Sequence, residues 1–442
     1  MSLLFAEYGI HTHYYDPSKK NIEALQSHAK ESKHEDKITY HDDHKSLCEA
    51  LEDGDKPKVF IIDALEPYLK PGDIIMDASN EHWKATERRQ ARLEPKGIHY
   101  IGMGVSGGYQ SARHGPSISP GGSKEALDKV FPFLQKIASK DKKGQPCVAK
   151  LGPGGCGHYV KMIHNGIEHG MMTALCEAWA IMNIGLGMDY EEIGTVFEKW
   201  NGDKERPLRD NFLIDIGADI CRTKDEKGNY VLANVRDKVV QDVDNSEGTG
   251  TWSVQEGTRL HVPDPTIAVS HLFRVASADA ARRLTVSKAL NGKGVKPARI
   301  EGVDKDKFLE DLYNAVYASF LMCFIQGLHV LSKANEENDW KLDFADVLQL
   351  WRNGCIIQSD GIADLLETVY RSREHDNDDL LGHQTIAGEL AKTYPSLKRV
   401  EAELDYFGAH MFDLKTAEPG KPVTGKHHFE WKPARGILET DD

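Results

Sequence analysis

The sequence has no Cys-x-x-Cys pair and only seven cysteines, at positions 48, 147, 156, 176, 221, 323 and 355. That scatter offers neither a disulfide framework nor a zinc knuckle, so no structural metal is expected. The cysteines read as the reduced thiols of a cytoplasmic protein. Long apolar runs are missing too: nothing comes near the roughly 18 consecutive apolar residues of a membrane span. The opening segment MSLLFAEYGIHTHYY lacks the basic-then-apolar order of a signal peptide. Positive charge is short, with 55 Lys and Arg against 69 Asp and Glu and a net charge of −14. Such an excess argues against nucleic acid and an anionic membrane as partners. An anionic substrate would have to find its positive charge locally.

What is present is a chain of 442 residues, 40% hydrophobic and 28% charged, long enough for two or three domains with sizeable cores. The first part alternates short β-rich runs (Ile10–Tyr15, Lys58–Ile62, Asp73–Met76 and His99–Val105) with helix-compatible stretches such as Ser18–Glu31 and Glu81–Leu93. This alternation predicts a parallel sheet covered by helices. From about Pro153 the pattern changes to helices that are apolar nearly all round: Tyr159–Leu186, Tyr190–Trp200, Ile267–Leu290 and Phe308–Ala334. Helices of that kind are buried inside a large helical domain. Two of them look related, with His164-Asn-Gly-Ile set against Tyr313-Asn-Ala-Val, which suggests a duplicated unit. The expected fold is α/β plus all-α. Residues 1–150 form a Rossmann-like domain, residues 151–400 an all-helical domain and residues 401–442 an extended arm.

The strongest local feature is the glycine-rich turn Gly152–Gly157 running into His158-Tyr-Val-Lys161-Met-Ile-His164-Asn165-Gly-Ile-Glu168. Lys161, Asn165 and Glu168 fall at i, i+4 and i+7, on one helical stripe. Two readings fit: a satisfied polar network, or a lysine–glutamate acid/base pair on a rigid element. Burial can bring a lysine down from its usual pKa of about 10.4 towards neutrality, as a general base needs. Gly104-Val-Ser106-Gly107-Gly108 ends an apolar run, where small residues with free N–H groups can hold carboxylate or phosphate oxygens. A plain tight turn fits it equally well. Gly115–Gly122 reads as a second Gly/Pro-rich loop, and Asn80 adds an amide at the same end of the sheet.

These motifs, with GTGTW (248–252), LWRNGCII (350–357) and DYFGAH (405–410) following in order, resemble the 6-phosphogluconate dehydrogenase family almost end to end. The resemblance implies oxidation of 6-phosphogluconate at C3 with NADP, then decarboxylation to ribulose 5-phosphate in the pentose phosphate pathway, without a metal. It makes Lys161 the base on the C3 hydroxyl and Glu168 the acid that protonates C1 after CO2 leaves. Ser106, Gly107 and Gly108, helped by His164 and Asn165, would hold the substrate carboxylate. Asn80 would sit between nicotinamide and substrate, and Arg274 would bind phosphate. His410 would be lent to the partner's site, which implies a homodimer.

The chain also departs from the family pattern. Reading from Met1, it is expected to lack the first strand and glycine loop of the cofactor domain, where pyrophosphate meets a helix N-terminus. Further family segments are missing between Ile62 and Asp63 and between Val400 and Glu401, as though skipped rather than trimmed. A chain so interrupted is expected to show no measurable affinity for NAD or NADP, with a protease-sensitive N-terminal region and a resistant helical remainder. Glu247 and Leu404 stand where the family has a phosphate-binding lysine and arginine, and His169 replaces a tyrosine and could donate to phosphate instead. Asp16 stands near the position that meets a 2′-phosphate in NADP enzymes. A carboxylate there favours NAD, unless Asp16 is simply a turn aspartate before Pro17. Two alternatives therefore accompany the dehydrogenase reading: a different or non-phosphorylated sugar acid as substrate, and a catalytically silent dimeric binding protein.

Overall fold

The computed structural model describes residues 1–51, 57–58, 65–234, 248–291, 293, 299–372 and 380–400. The alternating N-terminal pattern folds into two sheets. Strand β1 (Thr12–Tyr14) pairs in parallel with β2 (Ile38–Tyr40), with the Lys19–Glu31 helix between them in sequence. A second sheet runs in the order β3 (Pro57–Lys58), β4 (Ile74–Asp77), β5 (His99–Ser106) and β6 (Ser117–Gly121). Its first three strands are parallel and β6 is antiparallel to β5. The domain is thus Rossmann-like, with its strands divided between two sheets among the described residues. The chain opens instead with the helix Ser2–Glu7, whose Leu4 is buried among Ile74, Met76, Ile101 and Ile118 of the larger sheet.

Two local expectations are corrected. The run Gly115–Gly122 contains strand β6 rather than only a loop: Ser117 to Gly121 are all buried and register against Ser106 to Gly102. Pro120 fits there because β6 is flanked on its outer side only by isolated bridges to Val148 and Gly152, where few ladder donors are needed, and the Pro120 carbonyl still accepts from the Leu151 N–H at 3.3 Å. The stretch Ile267–Leu290 is two helices, Pro265–Ala278 and Ala280–Asn291, because Asp279 stops the first and its carboxylate accepts from the N–H of Arg282 at 3.0 Å. Strand β2 was not legible in the sequence, since three residues between charged stretches carry too little pattern.

The helical part is built on two long helices, Cys156–Ala180 and Lys305–Asn338, which pack along one another and carry the two similar asparagine-containing runs. Lys305–Asn338 is long and apolar enough to cross a membrane, with a mean hydropathy of 1.5 over its most apolar window, and 83% of that window is buried in the fold. Its apolar surface is therefore spent against other helices. Cys156–Ala180 also lies on β5 and β6, so it joins the two parts of the molecule. On the opposite side the Pro265–Ala278 and Ala280–Asn291 helices leave a row of large apolar side chains uncovered, among them Leu272 (62% exposed), Phe273 (52%) and Leu284 (56%). The 401–442 arm, including His410 and Leu404, lies outside the described residues, as do Glu247 and the Ile62–Asp63 junction.

Candidate active site

The site forms where β5 ends and the Cys156–Ala180 helix crosses it. Gly104 in β5 allows that crossing: a side chain there would begin 2.3 Å from Lys161 Cβ and 2.4 Å from Ser119 Oγ. Without the glycine, helix and strand could not touch at this point. The strand then breaks at Gly107 and Gly108, with φ of 99° and 62°, in left-handed conformations that glycine adopts at little cost. Ser106, the last residue of β5, is thereby held against the helix.

The polar stripe seen in the sequence is assembled as one network. Lys161 Nζ donates to Ser106 Oγ at 3.1 Å. Ser106 Oγ lies 2.9 Å from His164 Nε2, and His164 Nδ1 lies 3.0 Å from Asn165 Oδ1. Asn165 in turn donates from Nδ2 to Thr249 Oγ1 at 3.0 Å. The chain is satisfied if His164 is neutral, donating from Nδ1 to Asn165 and accepting at Nε2 from Ser106. Burial, with Lys161 close by, holds the His164 pKa well below the ordinary imidazole value, which favours that form. Glu168 Oε2 sits 3.8 Å from His164 Nδ1 at the more open edge of the stripe. Lys161 is itself buried, and burial lowers its ammonium pKa against the opposing pull of Glu168. A buried amine that gives up its proton more readily than usual, next to a carboxylate that keeps some solvent access, is a competent base and acid on one rigid element.

The other candidate residues are placed as follows. Asn80 is exposed in the loop after β4, at the same C-terminal sheet edge as Ser106. His169 is the next residue along from Glu168 and is buried; burial first, then Arg274 and His271, push its pKa down to about 4. Arg274 is therefore brought close to His169, as the phosphate reading needs. His271, which the sequence reading passed over, stacks parallel to His169 with ring centroids 6.1 Å apart. Thr249 was also missed. The signals were there: His271 and Arg274 are spaced i, i+3 on one helix, and Thr249 lies inside the GTGTW motif. Asp16 lies apart from this cluster, after β1. Its carboxylate accepts from the Ser18 N–H at 2.7 Å and from Asn21 Nδ2 at 3.1 Å, so it does act as a turn residue. It also lines an open cleft of about 350 Å3 with Tyr15, Pro17, Lys19, Ile22, Glu23, Gln26 and Asp42. Among the described residues no group of three or more His, Cys, Asp or Glu could hold a metal ion.

Comparison with known proteins follows the same division of the chain. The family model described as the NAD binding domain of 6-phosphogluconate dehydrogenase matches residues 1–152, and that of the enzyme's C-terminal domain matches residues 157–401. A decarboxylating 6-phosphogluconate dehydrogenase of Emericella nidulans is 41% identical, over 98% of this chain and 99% of its own length. The Schizosaccharomyces pombe enzyme of the same name is 35% identical over 87% of this chain and 82% of its own. Among solved structures, a Plasmodium falciparum 6-phosphogluconate dehydrogenase, determined alone, with NADP+ and with 6-phosphogluconate, superposes with a TM-score of 0.80. It is 30% identical and the match covers 94% of this chain and 90% of that one.

The buried imidazoles carry a pH consequence. An unfolded histidine titrates near 6.5, whereas His169 in the fold titrates at about 4. Between those values the unfolded chain binds the extra proton, so stability is lost as pH falls from about 6.5 towards 4. His158 and His164 shift in the same direction, while Asp264, pushed up to about 7 by burial, works the other way. Replacing His169 by Gln should therefore flatten the slope of unfolding free energy by up to about 1.4 kcal/mol per pH unit in the acid limb. Urea unfolding of both proteins at pH 6.0, 5.5 and 5.0 measures this, and equal slopes would show that His169 takes up its proton in the folded state.

Proposed function

The chain belongs to the 6-phosphogluconate dehydrogenase family, and from that premise we propose that it catalyses the NAD(P)-linked oxidative decarboxylation of 6-phosphogluconate to ribulose 5-phosphate. The observation that carries the reading is the dry contact of Lys161 with Ser106, on the same helical stripe as Glu168. Bound NAD(P) supplies the oxidant for C3; the side chains position the acid and move protons. Ser106, Gly107 and Gly108 hold the substrate carboxylate, the glycines through two N–H groups and Ser106 by turning its O–H from His164 Nε2 to the substrate, with Asn165 bonded to His164 beside them. Lys161, whose ammonium form burial disfavours, takes the proton of the C3 hydroxyl. Oxidation at C3 leaves a β-keto acid, which loses CO2 and leaves an enediol. The Lys161 ammonium returns its proton to the C3 oxygen as that enediol forms; Glu168 then delivers a proton to C1 while Lys161 takes the enediol O–H proton back, which leaves the ketone. Asn80, exposed in the loop after β4, would position the nicotinamide against the substrate.

The cleft beside Asp16 suits the adenosine ribose of a dinucleotide. Asp16 is half-buried, and hydrogen bonds from Ser18, Asn21 and Tyr14 hold its carboxyl below the usual range, so its charge persists at neutral pH. With Asp42 on the same cleft, a ribose hydroxyl is welcome and a 2′-phosphate is repelled, which favours NAD over NADP. The reduced cysteines fit a cytoplasmic location. The uncovered Val269, Leu272, Phe273, Val275, Leu284 and Val286 form an apolar surface of the kind that a second copy covers, supporting a homodimer.

Lys161→Met should lower kcat by on the order of 10^3 or more, in keeping with the loss of a general base. Glu168→Gln should instead leave a single-turnover burst of reduced cofactor while slowing release of ribulose 5-phosphate. Near-normal turnover by Lys161→Met would remove the base assignment. For the cofactor, wild-type kcat/KM should be higher with NAD than with NADP. Asp16→Asn, which keeps an acceptor for the Ser18 N–H, should move the ratio about tenfold towards NADP; a wild-type preference for NADP is the contrary result. For assembly, the double change Leu272→Glu and Phe273→Glu should convert the dimer to monomer in sedimentation velocity, and an unshifted dimer would place the interface elsewhere.

A further inference from the structure

The 6-phosphogluconate reading puts the nicotinamide by Asn80, on the loop after β4, and the base at Lys161, on the Cys156–Ala180 helix. Oxidation at C3 needs both at one carbon, and a misplacement of about 1 Å between such groups costs roughly a hundredfold in rate. A buried imidazole with no role in the site ties the two elements together. His158 stands three residues before Lys161 on the same helix and is 2% exposed. Its Nε2 lies 3.2 Å from the carbonyl oxygen of Asp77, the last residue of β4. Its Nδ1 lies 2.6 Å from Thr86 Oγ1, in the Trp83–Leu93 helix. A carbonyl only accepts, so Nε2 carries the proton and Nδ1 accepts from the Thr86 hydroxyl. Burial keeps the His158 pKa below the ordinary imidazole value, which favours that neutral form.

Asp77 and Thr86 stand on either side of the 78–82 loop that bears Asn80, so one ring holds both of its ends. Gly102 makes the room. It is the register partner of Asp77 in β5, and a side chain there would begin 2.6 Å from Thr86 Cγ2 and 2.9 Å from His158 Nδ1. The loop is also stiffened from within. One Asp77 carboxylate oxygen accepts from the Ser79 N–H at 3.0 Å and the Ser79 hydroxyl at 2.6 Å, the other from the Tyr100 hydroxyl at 2.5 Å. Burial raises a carboxyl pKa, yet these donors hold Asp77 below its ordinary value, so the acceptor stays ionised. Gln90, one turn beyond Thr86, donates to the carbonyls of Tyr100 and Gly154 at 3.1 and 3.0 Å. The helix after the loop is thereby fastened to the turn that leads into Cys156–Ala180 as well.

We propose that His158 is a positioning residue: through Asp77 and Thr86 it sets the loop that bears Asn80 against the helix that bears Lys161, and so the nicotinamide against the base. The inference rests on the 6-phosphogluconate reading and adds to it a residue that acts only through others.

The test compares the full chain with its His158→Phe and His158→Gln variants in two measurements. Phenylalanine fills a similar space with neither hydrogen bond, whereas glutamine keeps a donor for the Asp77 carbonyl. The first measurement is amide hydrogen exchange without ligands. Losing one buried hydrogen bond corresponds to about tenfold in a local opening equilibrium. Exchange across residues 78–86 should therefore rise about tenfold in His158→Phe and less in His158→Gln, with residues 160–175 unchanged. The second is the single-turnover appearance of reduced cofactor with 6-phosphogluconate, unlabelled and deuterated at C3. In His158→Phe its rate should fall by roughly tenfold to a hundredfold and stay sensitive to deuterium, with KM for the acid within about twofold. His158→Gln should recover part of the rate. Unchanged exchange in 78–86 would overturn the proposal, as would a wild-type rate in His158→Phe. So would a smaller burst at an unchanged rate with a lower melting temperature, because that pattern belongs to a histidine that only supports the fold. If the wild-type chain does not turn over 6-phosphogluconate but exchange responds as stated, the tie between loop and helix stands and the substrate reading falls.

Discussion

Everything in the site depends on one close approach, that of the Cys156–Ala180 helix to strand β5 at Gly104. An ordinary side chain at that position would meet Lys161 Cβ at 2.3 Å, and the helix would have to lift away. The contact has two effects at once. It removes water from Lys161, and it brings the Ser106 hydroxyl within hydrogen-bond reach of the amine. Desolvation lowers the amine's pKa, while the hydroxyl keeps it from being an unsatisfied polar group. Proximity alone would not give both. The same helix forms much of the core of the helical part, so the position of the amine is fixed by packing that has nothing to do with chemistry.

A lysine, a histidine and an asparagine in a dry interior are tolerable only because each finds a partner. Ser106, His164, Asn165 and Thr249 are linked end to end, and the neutral state of His164 avoids a second buried positive charge next to Lys161. Glu168 is left at the edge, 15% exposed, where it keeps some access to solvent. The order of burial along the stripe thus places Lys161 and Glu168 in different environments on one helix.

Much of this was legible in the sequence. The spacing of Lys161, Asn165 and Glu168 gave their common face, and the strand–helix alternation gave the parallel sheet. What escaped had physical reasons. Strand β2 is three residues long, below any useful periodicity. Strand β6 hid behind Pro120 and Gly121, residues that read as loop formers unless the edge position and the burial are known. The break at Asp279 was masked because a single capping aspartate interrupts an otherwise continuous apolar pattern. His271 belongs to a helix far away in sequence from His169, and only tertiary packing brings the rings together. Asp16 showed the opposite limit: the sequence posed a turn residue against a cofactor residue, and the geometry lets one carboxylate serve the turn while its charge still faces the cleft.

The charge distribution ties these features together. A chain with 69 acidic and 55 basic residues repels anions on average, so an acid carrying a phosphate must be drawn in by short-range forces. Burying several lysines and arginines together would be expensive, since each charge must give up its hydration. Helix termini and neutral imidazoles avoid that penalty: they present N–H groups as fixed dipoles that need no counterion in the empty site. The first turn of the Thr249–Arg259 helix, Gly107 and Gly108 at the end of β5, and the His169–His271 pair are all of this type, with Arg274 the one permanent cation among them. Preorganised dipoles of this sort also cost little to leave unoccupied between turnovers, because they need no rearrangement when the anion departs. A net acidic surface and an anion-selective interior are therefore compatible, provided that the interior binds by geometry more than by charge.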